Sequence, residues 1–336
     1  MLRSCSSSRQ PNASVPPEQL APDLWRIKVP LPFRLREVNL YLLKGAHGYT
    51  LIDAGIDTAD ARAAFDGALS QLGIVETDIE RVYVTHMHPD HIGLSGRRSR
   101  AGSRIFLMRD EERRARFVWG TEPLSDWITY TREHGAGGEI AQGIVAAVNM
   151  LRRAVTLPER FEYVADGDVV DAGTRRLRVV WTPGHSDFHY VLVDDDARII
   201  FCGDQLLPAI TPNIGLYPEC RPDPLRDFLW SLGRFEREGS YTVLPGHGAD
   251  YSTLPERIGQ FRKHHDERLA GVRAQVAASN GAGATAFDVV RHFWGDKLTT
   301  HEVRFALVEV VAHLEYLRLA GDIKRETVSG TQRYRS

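Results

Sequence analysis

A stretch of six residues carries the side-chain types that proteins most often use to bind metal ions. Three imidazoles and one carboxylate fall within His86-Met87-His88-Pro89-Asp90-His91, which follows the apolar run Val82-Tyr83-Val84. Given the composition of this chain, the pattern H-x-H-x-[DE]-H would arise by chance roughly 0.003 times, so its presence is informative. Imidazole and carboxylate ligands together suit zinc, and also iron or manganese.

The spacing of these four side chains predicts two metal positions. His86 and His88 lie two residues apart at a strand end, so both rings project to the same side. Asp90 and His91 come one turn further on, where the chain is expected to enter a short helix over residues 92–96. The side chains therefore divide into two pairs that can face two adjacent ions.

Three later segments each place one further potential ligand after a short apolar run and beside a glycine that permits a tight turn. They are His185 after residues 177–181, Asp204 after residues 198–202, and His247 after residues 241–244. This repeated arrangement indicates that several strands deliver metal ligands to one edge of a sheet.

In these motifs and their order the chain resembles the metallo-β-lactamase-fold hydrolases, in particular the glyoxalase II-like and lactonase-like branch. The resemblance covers residues 24–250 and includes the upstream segment Leu51-Ile52-Asp53-Ala54-Gly55, which is similar to the family's first motif. It implies two divalent ions, zinc before iron or manganese. It also implies that His86, His88 and His185 bind one ion and that Asp90, His91 and His247 bind the other. Asp204 would bridge the two ions, and Asp53 would fix the metal-binding loop without binding metal itself.

Two features depart from compact members of this family. His88 and His185 are 97 residues apart, and the excess length falls in residues 109–160. Phe188 occupies a position where many relatives have glycine, which leaves the role of His189 open. We favour a supporting or structural role for His189 over direct metal binding.

The expected fold is α/β, a four-layer αββα metallo-β-lactamase sandwich. We expect a disordered leader over residues 1–20 and a catalytic domain over residues 21–253. An inserted helical segment, the lid, covers residues 109–158, and a mainly helical, winged-helix-like domain covers residues 254–336.

The lid contains four aromatic residues that allow two interpretations. The rings could pack the inserted helices together, or they could line an apolar substrate pocket above the metal ions. Both can hold, since a lid needs a core of its own. The residues are Phe117, Trp119, Trp127 and Tyr130.

The C-terminal region predicts helix, helix and hairpin, with basic residues at the hairpin tip. The tip has two acidic residues, Asp322 and Glu326, and four basic ones, Lys324, Arg325, Arg333 and Arg335. This excess is small, so packing or a homodimer contact is favoured over nucleic-acid binding.

Bulk properties narrow the function classes. The net charge is −2, with 42 basic and 44 acidic residues, so no global attraction to nucleic acid or membrane is expected. No apolar stretch approaches the ~20 residues of a membrane span. Three cysteines without a paired framework fit a reducing cytoplasm.

The leading hypothesis is a zinc-dependent hydrolase of an apolar small acyl substrate: a thioester, lactone or other ester. Hydroxide bound to the metals would attack the carbonyl, and Asp90 would orient the nucleophile. A ribonuclease or phosphodiesterase using the same site is the first alternative, and a mononuclear iron oxygenase of the persulfide dioxygenase type is the second. A purely structural role for the metals is disfavoured, as is β-lactam hydrolysis.

Overall fold

Two β-sheets pack face to face, and helices cover the outer face of each, as the computed structural model shows for residues 15–236, 240–279 and 281–336. One apolar cluster draws side chains from both sheets and fills the space between them, with the Tyr41 and Phe201 rings in edge contact at 5.4 Å. Two further clusters join the outer sheet faces to the helices. The four layers expected for an αββα sandwich are confirmed.

The first sheet has seven strands in chain order. The first four are antiparallel and the pairs from the fourth to the seventh are parallel. Its strands are β1 (Glu18–Ala21), β2 (Leu24–Pro30), β3 (Glu37–Lys44), β4 (Tyr49–Ile52), β5 (Ile79–Tyr83), β6 (Arg104–Met108) and β7 (Glu162–Val164).

The second sheet has five strands, and its last pair is parallel while the others are antiparallel. Its members are β8 (Val169–Ala172), β9 (Arg175–Trp181), β10 (Tyr190–Asp194), β11 (Ile199–Gly203) and β12 (Thr242–Pro245). This pairing makes β9, β11 and β12 run in one direction, so their carboxyl ends reach the same edge.

Helices occupy both outer layers and the C-terminal region. They are α1 (Ala59–Leu72), α2 (Pro89–Ile92), α3 (Ser95–Arg100), α4 (Arg109–Trp119), α5 (Ser125–Glu133), α6 (Gly138–Arg152), α7 (Pro224–Gly233), α8 (Leu254–Ala278), α9 (Ala286–Trp294) and α10 (Thr300–Ala320). Among the described residues, no helix combines the length and apolar character needed to cross a bilayer.

Helix ends follow the local rules that the sequence indicates. Thr58 caps α1, its hydroxyl accepting from the Ala61 N–H at 3.2 Å, and Gly73 ends that helix with a left-handed φ of 71°. Thr299 and Glu302 form a capping box at the start of α10.

The predicted leader extends too far along the chain. Residues 1–14 lie outside the described residues, whereas Glu18–Ala21 forms β1 and pairs with β2. The Arg26 guanidinium of β2 contacts Glu18 at 2.7 Å and Asp250 at 3.0 Å. A short polar edge strand has few apolar residues, so composition alone does not separate it from a disordered segment.

The lid consists of α4, α5 and α6. Ile144 and Val148 of α6 and Trp127 of α5 are buried in the cluster that covers the first sheet. These apolar side chains therefore pack the lid onto the first sheet.

The C-terminal helices share a continuous core with the second sheet. Phe261 of α8 and Leu314 of α10 lie in the same buried cluster as Val191 of β10. The chain ends in the hairpin of β13 (Lys324–Val328) and β14 (Thr331–Arg335). The predicted order of helix, helix and hairpin is therefore present.

Most basic side chains at the hairpin tip have partners within the chain. Arg325 pairs with Glu315 at 2.8 Å and Arg335 pairs with Glu326 at 2.5 Å. Arg333 donates to the Gly283 carbonyl at 2.8 Å. These contacts favour the packing interpretation of the tip.

Candidate metal centre

The six-residue motif lies at the carboxyl end of β5, between parallel neighbours. His86 and His88 precede α2, whose first residue is Pro89, a favourable residue at this position. The helix therefore begins earlier than the predicted residues 92–96, and it contains both Asp90 and His91.

The other three candidate ligands arrive from the second sheet. His185 follows β9, Asp204 directly follows β11, and His247 follows β12. Because these strands share a direction, their loops meet the motif at one edge of the sandwich. The structure thus brings all seven predicted ligands together.

The seven side chains form two groups joined by Asp204. In each group the candidate ligand atoms lie within 4.8 Å of one another. Asp204 Oδ2 lies 3.4 Å from His185 Nε2, while Asp204 Oδ1 lies 3.3 Å from His91 Nε2 and 3.5 Å from His247 Nε2. The first group is His86, His88, His185 and Asp204, and the second is Asp90, His91 and His247.

Several buried polar atoms in this cluster lack hydrogen-bond partners among the described residues. They are His91 Nε2, His185 Nε2, His247 Nε2 and Asp204 Oδ1. These atoms face one another at ion-pair distances without hydrogen-bond alignment. Buried polar atoms are normally satisfied, so a shared set of unsatisfied donor atoms fits a divalent cation.

Carboxylates control the charge of the second group. Burial alone would lower the pKa of His91, but Asp53, Asp204 and Asp90 raise it well above its ordinary value. Burial would also lower the pKa of His247, but Asp204 and Asp90 outweigh this effect and raise it to about 9. Without a metal these rings hold protons next to carboxylates, and a bound cation would take the place of those protons.

The first group is different, because its imidazoles lie mainly against one another. Burial and the neighbouring rings lower the pKa values of His86 and His88 well below the ordinary value. Burial likewise lowers the pKa of His185, against the opposing effect of Asp204. Neutral imidazole is the form that binds metal ions, so these rings are ready to do so.

The second ring nitrogen of most candidate ligands is held by a fixed partner, which sets the direction of the ring. These contacts are His91 Nδ1 with Asp53 Oδ2 at 2.8 Å, His247 Nδ1 with the Glu37 carbonyl at 2.7 Å, His185 Nδ1 with the Asn213 carbonyl at 2.9 Å, and His86 Nδ1 with Thr85 Oγ1 at 3.0 Å.

Asp53 and His189 each contact a residue of the candidate metal centre, His91 and Asp204 respectively. Asp53 has a positive φ of 63° and accepts from the Thr85 N–H at 2.8 Å, which ties β4 to the start of the motif loop. His189 is fully buried, with Nδ1 2.8 Å from Thr182 Oγ1 and Nε2 accepting from the Asp204 N–H at 3.3 Å. Both His189 nitrogens are therefore engaged.

Glu111 of α4 is a buried residue that the sequence analysis missed. Its carboxylate accepts from the Met87 N–H at 2.9 Å, from the Phe188 N–H at 3.1 Å and from the Ser186 hydroxyl. One side chain of the lid therefore joins the loop of His86 and His88 to the loop of His185. Burial raises the pKa of Glu111.

The aromatic residues of the lid take part in packing. The Trp119 indole donates to the Met87 carbonyl at 2.7 Å, and the Trp127 ring lies 5.3 Å from the Tyr217 ring. Tyr130 donates its hydroxyl to the Leu216 carbonyl. Phe117 is half-buried against the cluster that covers the first sheet. The packing interpretation is observed, and the pocket interpretation stays a prediction.

Similarity to known proteins covers both the sandwich and the C-terminal region. Residues 34–247 match the Metallo-beta-lactamase superfamily, and residues 273–336 match the Metallo-beta-lactamase-like, C-terminal domain. The crystal structure of a metallo-beta-lactamase family protein from Thermus thermophilus is similar, with 34% identity and a TM-score of 0.85 over 94% of this chain and 99% of that one.

Two further relatives carry functional names. The chain is 27% identical over 307 residues to the probable metallo-hydrolase YqjP of Bacillus subtilis (strain 168), spanning 88% of this chain and 92% of that protein. It is 24% identical over 277 residues to the atrochrysone carboxyl ACP thioesterase of Aspergillus fumigatus, spanning 79% of this chain and 71% of that protein.

Proposed function

The chain belongs to the metallo-beta-lactamase superfamily, and we propose that it is a dinuclear zinc hydrolase that cleaves an ester, thioester or lactone bond of an apolar small molecule. One observation carries this proposal. Seven His and Asp side chains converge at one sheet edge, and buried donor atoms among them have no partner in the described part of the chain.

The two groups of side chains would hold one ion each, with Asp204 shared between them. Bound there, a pair of divalent ions supplies water activated at neutral pH and polarises the bond under attack. The donor set contains five imidazoles and two carboxylates. Imidazole favours zinc, whereas magnesium and calcium prefer oxygen ligands.

Asp90 is the side chain best placed to handle a proton. Burial would raise the pKa of its carboxyl, but His91 and His247 lower it to about 2, so it is ionised at neutral pH. Its side chain is 14% exposed, whereas that of His91 is fully buried. Asp90 would therefore orient the attacking water and pass a proton towards the leaving group.

An acyl substrate is supported by the surroundings and by one relative. The lid places an aromatic, largely apolar layer next to the motif loop, through Trp119 and Met87. The A. fumigatus relative is named as a thioesterase. At the hairpin tip, Arg325 and Arg335 pair with carboxylates, which weakens the case for a nucleic-acid substrate.

A reducing compartment, the cytoplasm, fits the cysteines. Cys202 and Cys220 are free thiols, the first fully buried in β11 and the second half-buried. We place the protein there on this ground.

The test is proton release at constant pH by zinc-loaded protein. The panel contains acyl thioesters, lactones, simple esters and a short RNA, and metal content is measured on the same sample. Release from an acyl substrate, lost in Asp204→Ala, is the expected result. Release from RNA alone would replace the proposal with a nuclease. No release, together with a single iron per chain and oxygen consumption, would replace it with an oxygenase.

A further inference from the structure

Arg304 differs from the other buried arginines of the described chain. Arg26, Arg98 and Arg114 pair with carboxylates. Arg257 donates to two backbone carbonyls and one amide oxygen. Arg304 is only 7% exposed, yet no described residue accepts a hydrogen bond from it or pairs with it.

The guanidinium of Arg304 keeps its charge in this setting. Burial lowers its pKa and the Tyr217 phenol raises it, but an arginine stays protonated at neutral pH. Its Nε atom is closed off from solvent without a partner, whereas the two Nη atoms are not closed off. The Phe305 ring lies 4.3 Å from the guanidinium carbon and provides an apolar face. A buried cation without a counter-charge is costly, so an external anion is its natural partner.

Arg304 lies where three parts of the molecule meet. One helical turn before it on α10, Thr300 packs against Gly143 of the lid so closely that a Cβ atom at Gly143 would lie 2.7 Å from Thr300 Cγ2. One turn after it, Val308 packs in the same way against Gly215, with 2.6 Å to a Cβ atom there. Arg304 is thus set between the lid and the loop that follows Asp204.

Contacts on one side lead from Arg304 to the candidate metal centre. The carbonyl of its neighbour Phe305 accepts from Asn213 Nδ2 at 3.3 Å. The Asn213 carbonyl in turn accepts from His185 Nδ1 at 2.9 Å. Two hydrogen bonds therefore connect the residue next to Arg304 with a candidate ligand.

Contacts on the other side lead to the motif loop. Tyr217, which is near enough to Arg304 to affect its pKa, lies 5.3 Å from Trp127 in ring contact. Trp127 belongs to the same buried cluster as Trp119, whose indole is bonded to the Met87 carbonyl at 2.7 Å. Both routes end in loops that carry candidate ligands.

We propose that Arg304 binds an oxyanion, a carboxylate or a phosphate, at one end of the otherwise apolar acyl substrate of the hydrolase; this proposal rests on the function proposed above. The planar fork of Arg304 matches either group through two parallel N–H donors. The anion can belong to the acyl part, as in a dicarboxylic half-thioester, or to the leaving group, as in a phosphate-bearing thiol.

The experiment compares three thioesters of equal acyl length on zinc-loaded protein. One is neutral, one carries a carboxylate on the acyl chain, and one carries a phosphate on the thiol. In Arg304→Met, kcat/KM for the preferred anionic thioester should fall about 100-fold, the scale of a charged bidentate contact. The neutral thioester should change by less than about threefold, and Arg304→Lys should give an intermediate loss, because a lysine keeps the charge without the fork.

The anionic thioester with the higher kcat/KM shows whether the anion belongs to the acyl part or to the leaving group. Equal losses on neutral and anionic thioesters, or no loss on any, would overturn the proposal. Arg304→Met should also fold at least as stably as the parent, because it removes an unpaired buried charge. A marked fall in its unfolding temperature would instead assign Arg304 a structural role.

A second measurement does not depend on turnover. Inorganic phosphate and succinate should raise the unfolding temperature of the zinc-loaded parent more than that of Arg304→Met, since anion binding at the metals is common to both proteins. If no thioester is cleaved but this difference appears, the proposed reaction fails and the anion site stands. Identical shifts in the two proteins would remove the anion site.

Discussion

Two groups of histidines in this molecule differ in whether carboxylates lie among their rings. The edge cluster (His86, His88, His91, His185 and His247) lies at the sheet edge, and the core pair (His265 and His313) lies between α8 and α10. Rings touch in both, with centroids 4.2 Å apart for His86 and His91 and 5.3 Å apart for the core pair. Only the edge cluster contains carboxylates, those of Asp90 and Asp204.

Carboxylates account for the raised pKa values of two rings in the edge cluster. In the core pair, burial and nearby cationic or imidazole groups lower the pKa of His265 to about 2 and of His313 to about 4. In the edge cluster, carboxylates raise the pKa of His91 and His247 although both rings are also buried. Burial alone makes a histidine neutral, as in the core pair and in His86, His88 and His185, whereas carboxylates next to His91 and His247 favour the charged form of these two rings.

The largest effect is expected from removing the carboxylate that the two groups share. Asp204→Asn keeps the shape but removes the charge directed at His185, His91 and His247. We expect the metal content to fall below two ions per chain and hydrolysis to fall by about 10³-fold. Metal analysis after dialysis and the rate on the best acyl substrate check this. If the variant keeps two ions and full activity, Asp204 has no bridging role.

The second test asks whether a buried carboxylate outside the cluster also serves it. Glu111→Ala leaves the Met87 and Phe188 N–H groups and the Ser186 hydroxyl without their acceptor. We expect a loss of about 3–5 kcal/mol in the free energy of unfolding and a roughly 10–100-fold weaker metal affinity.

Glu112→Ala is the matched control for Glu111→Ala. Glu112 lies on the same helix, but its partners are the exposed side chains of Arg116, in an i,i+4 pair, and Tyr163, away from the loops of the candidate ligands. Its loss should change stability by no more than about 1 kcal/mol and leave metal affinity unchanged. Chemical unfolding and competition with a chelator measure both quantities. Equal effects of the two substitutions would remove the positioning role of Glu111.

Sequence reasoning identified the edge cluster because its local signals are strong. His185, Asp204 and His247 each follow an apolar run and border a glycine, so their strand-end positions were readable without tertiary information. His265, His313 and His134 lack this spacing and strand-end context, and all three are buried in packing contacts. Spacing and strand-end context therefore distinguish the two kinds of histidine.

Other supporting residues gave no usable signal. Glu111 belongs to Arg109-Asp110-Glu111-Glu112, a run of charges typical of an exposed first turn of a helix. Only the approach of two distant loops makes it buried. Asn213 contacts His185 through its backbone carbonyl, so its side-chain type carries no information about that contact. Both are properties of tertiary packing.

The third test concerns the acid side of the stability profile. His134 is buried against the Tyr130 ring, its Nδ1 atom has no partner among the described residues, and burial lowers its pKa to about 4. The folded state thus resists protonation while the unfolded state takes up a proton below about pH 6.5. Stability from this residue is present above about pH 6.5 and is lost as pH falls towards about 4.

The variant His134→Phe should flatten this part of the profile. Between about pH 6.5 and about pH 4, its free energy of unfolding should fall by up to about 3 kcal/mol less than that of the parent, because phenylalanine has no proton to gain. Urea unfolding of both proteins at about pH 7, 5.5 and 4 gives the difference directly. Parallel profiles would show that burial does not lower the pKa of His134 in the way that it lowers those of the core pair.

The smallest effect is expected where carboxylates occur without histidines. Asp194 ends β10, and Asp195 and Asp196 follow it in the turn that leads to β11. Arginines already neutralise two of them, since Asp194 lies 2.9 Å from Arg175 and Asp195 lies 2.8 Å from Arg178. Asp195→Asn should therefore leave two ions per chain and full activity, and should lower the free energy of unfolding by at most about 1 kcal/mol. Metal analysis and urea unfolding test this. A lost ion would mean that carboxylates alone, without converging imidazoles, are enough to hold metal in this protein.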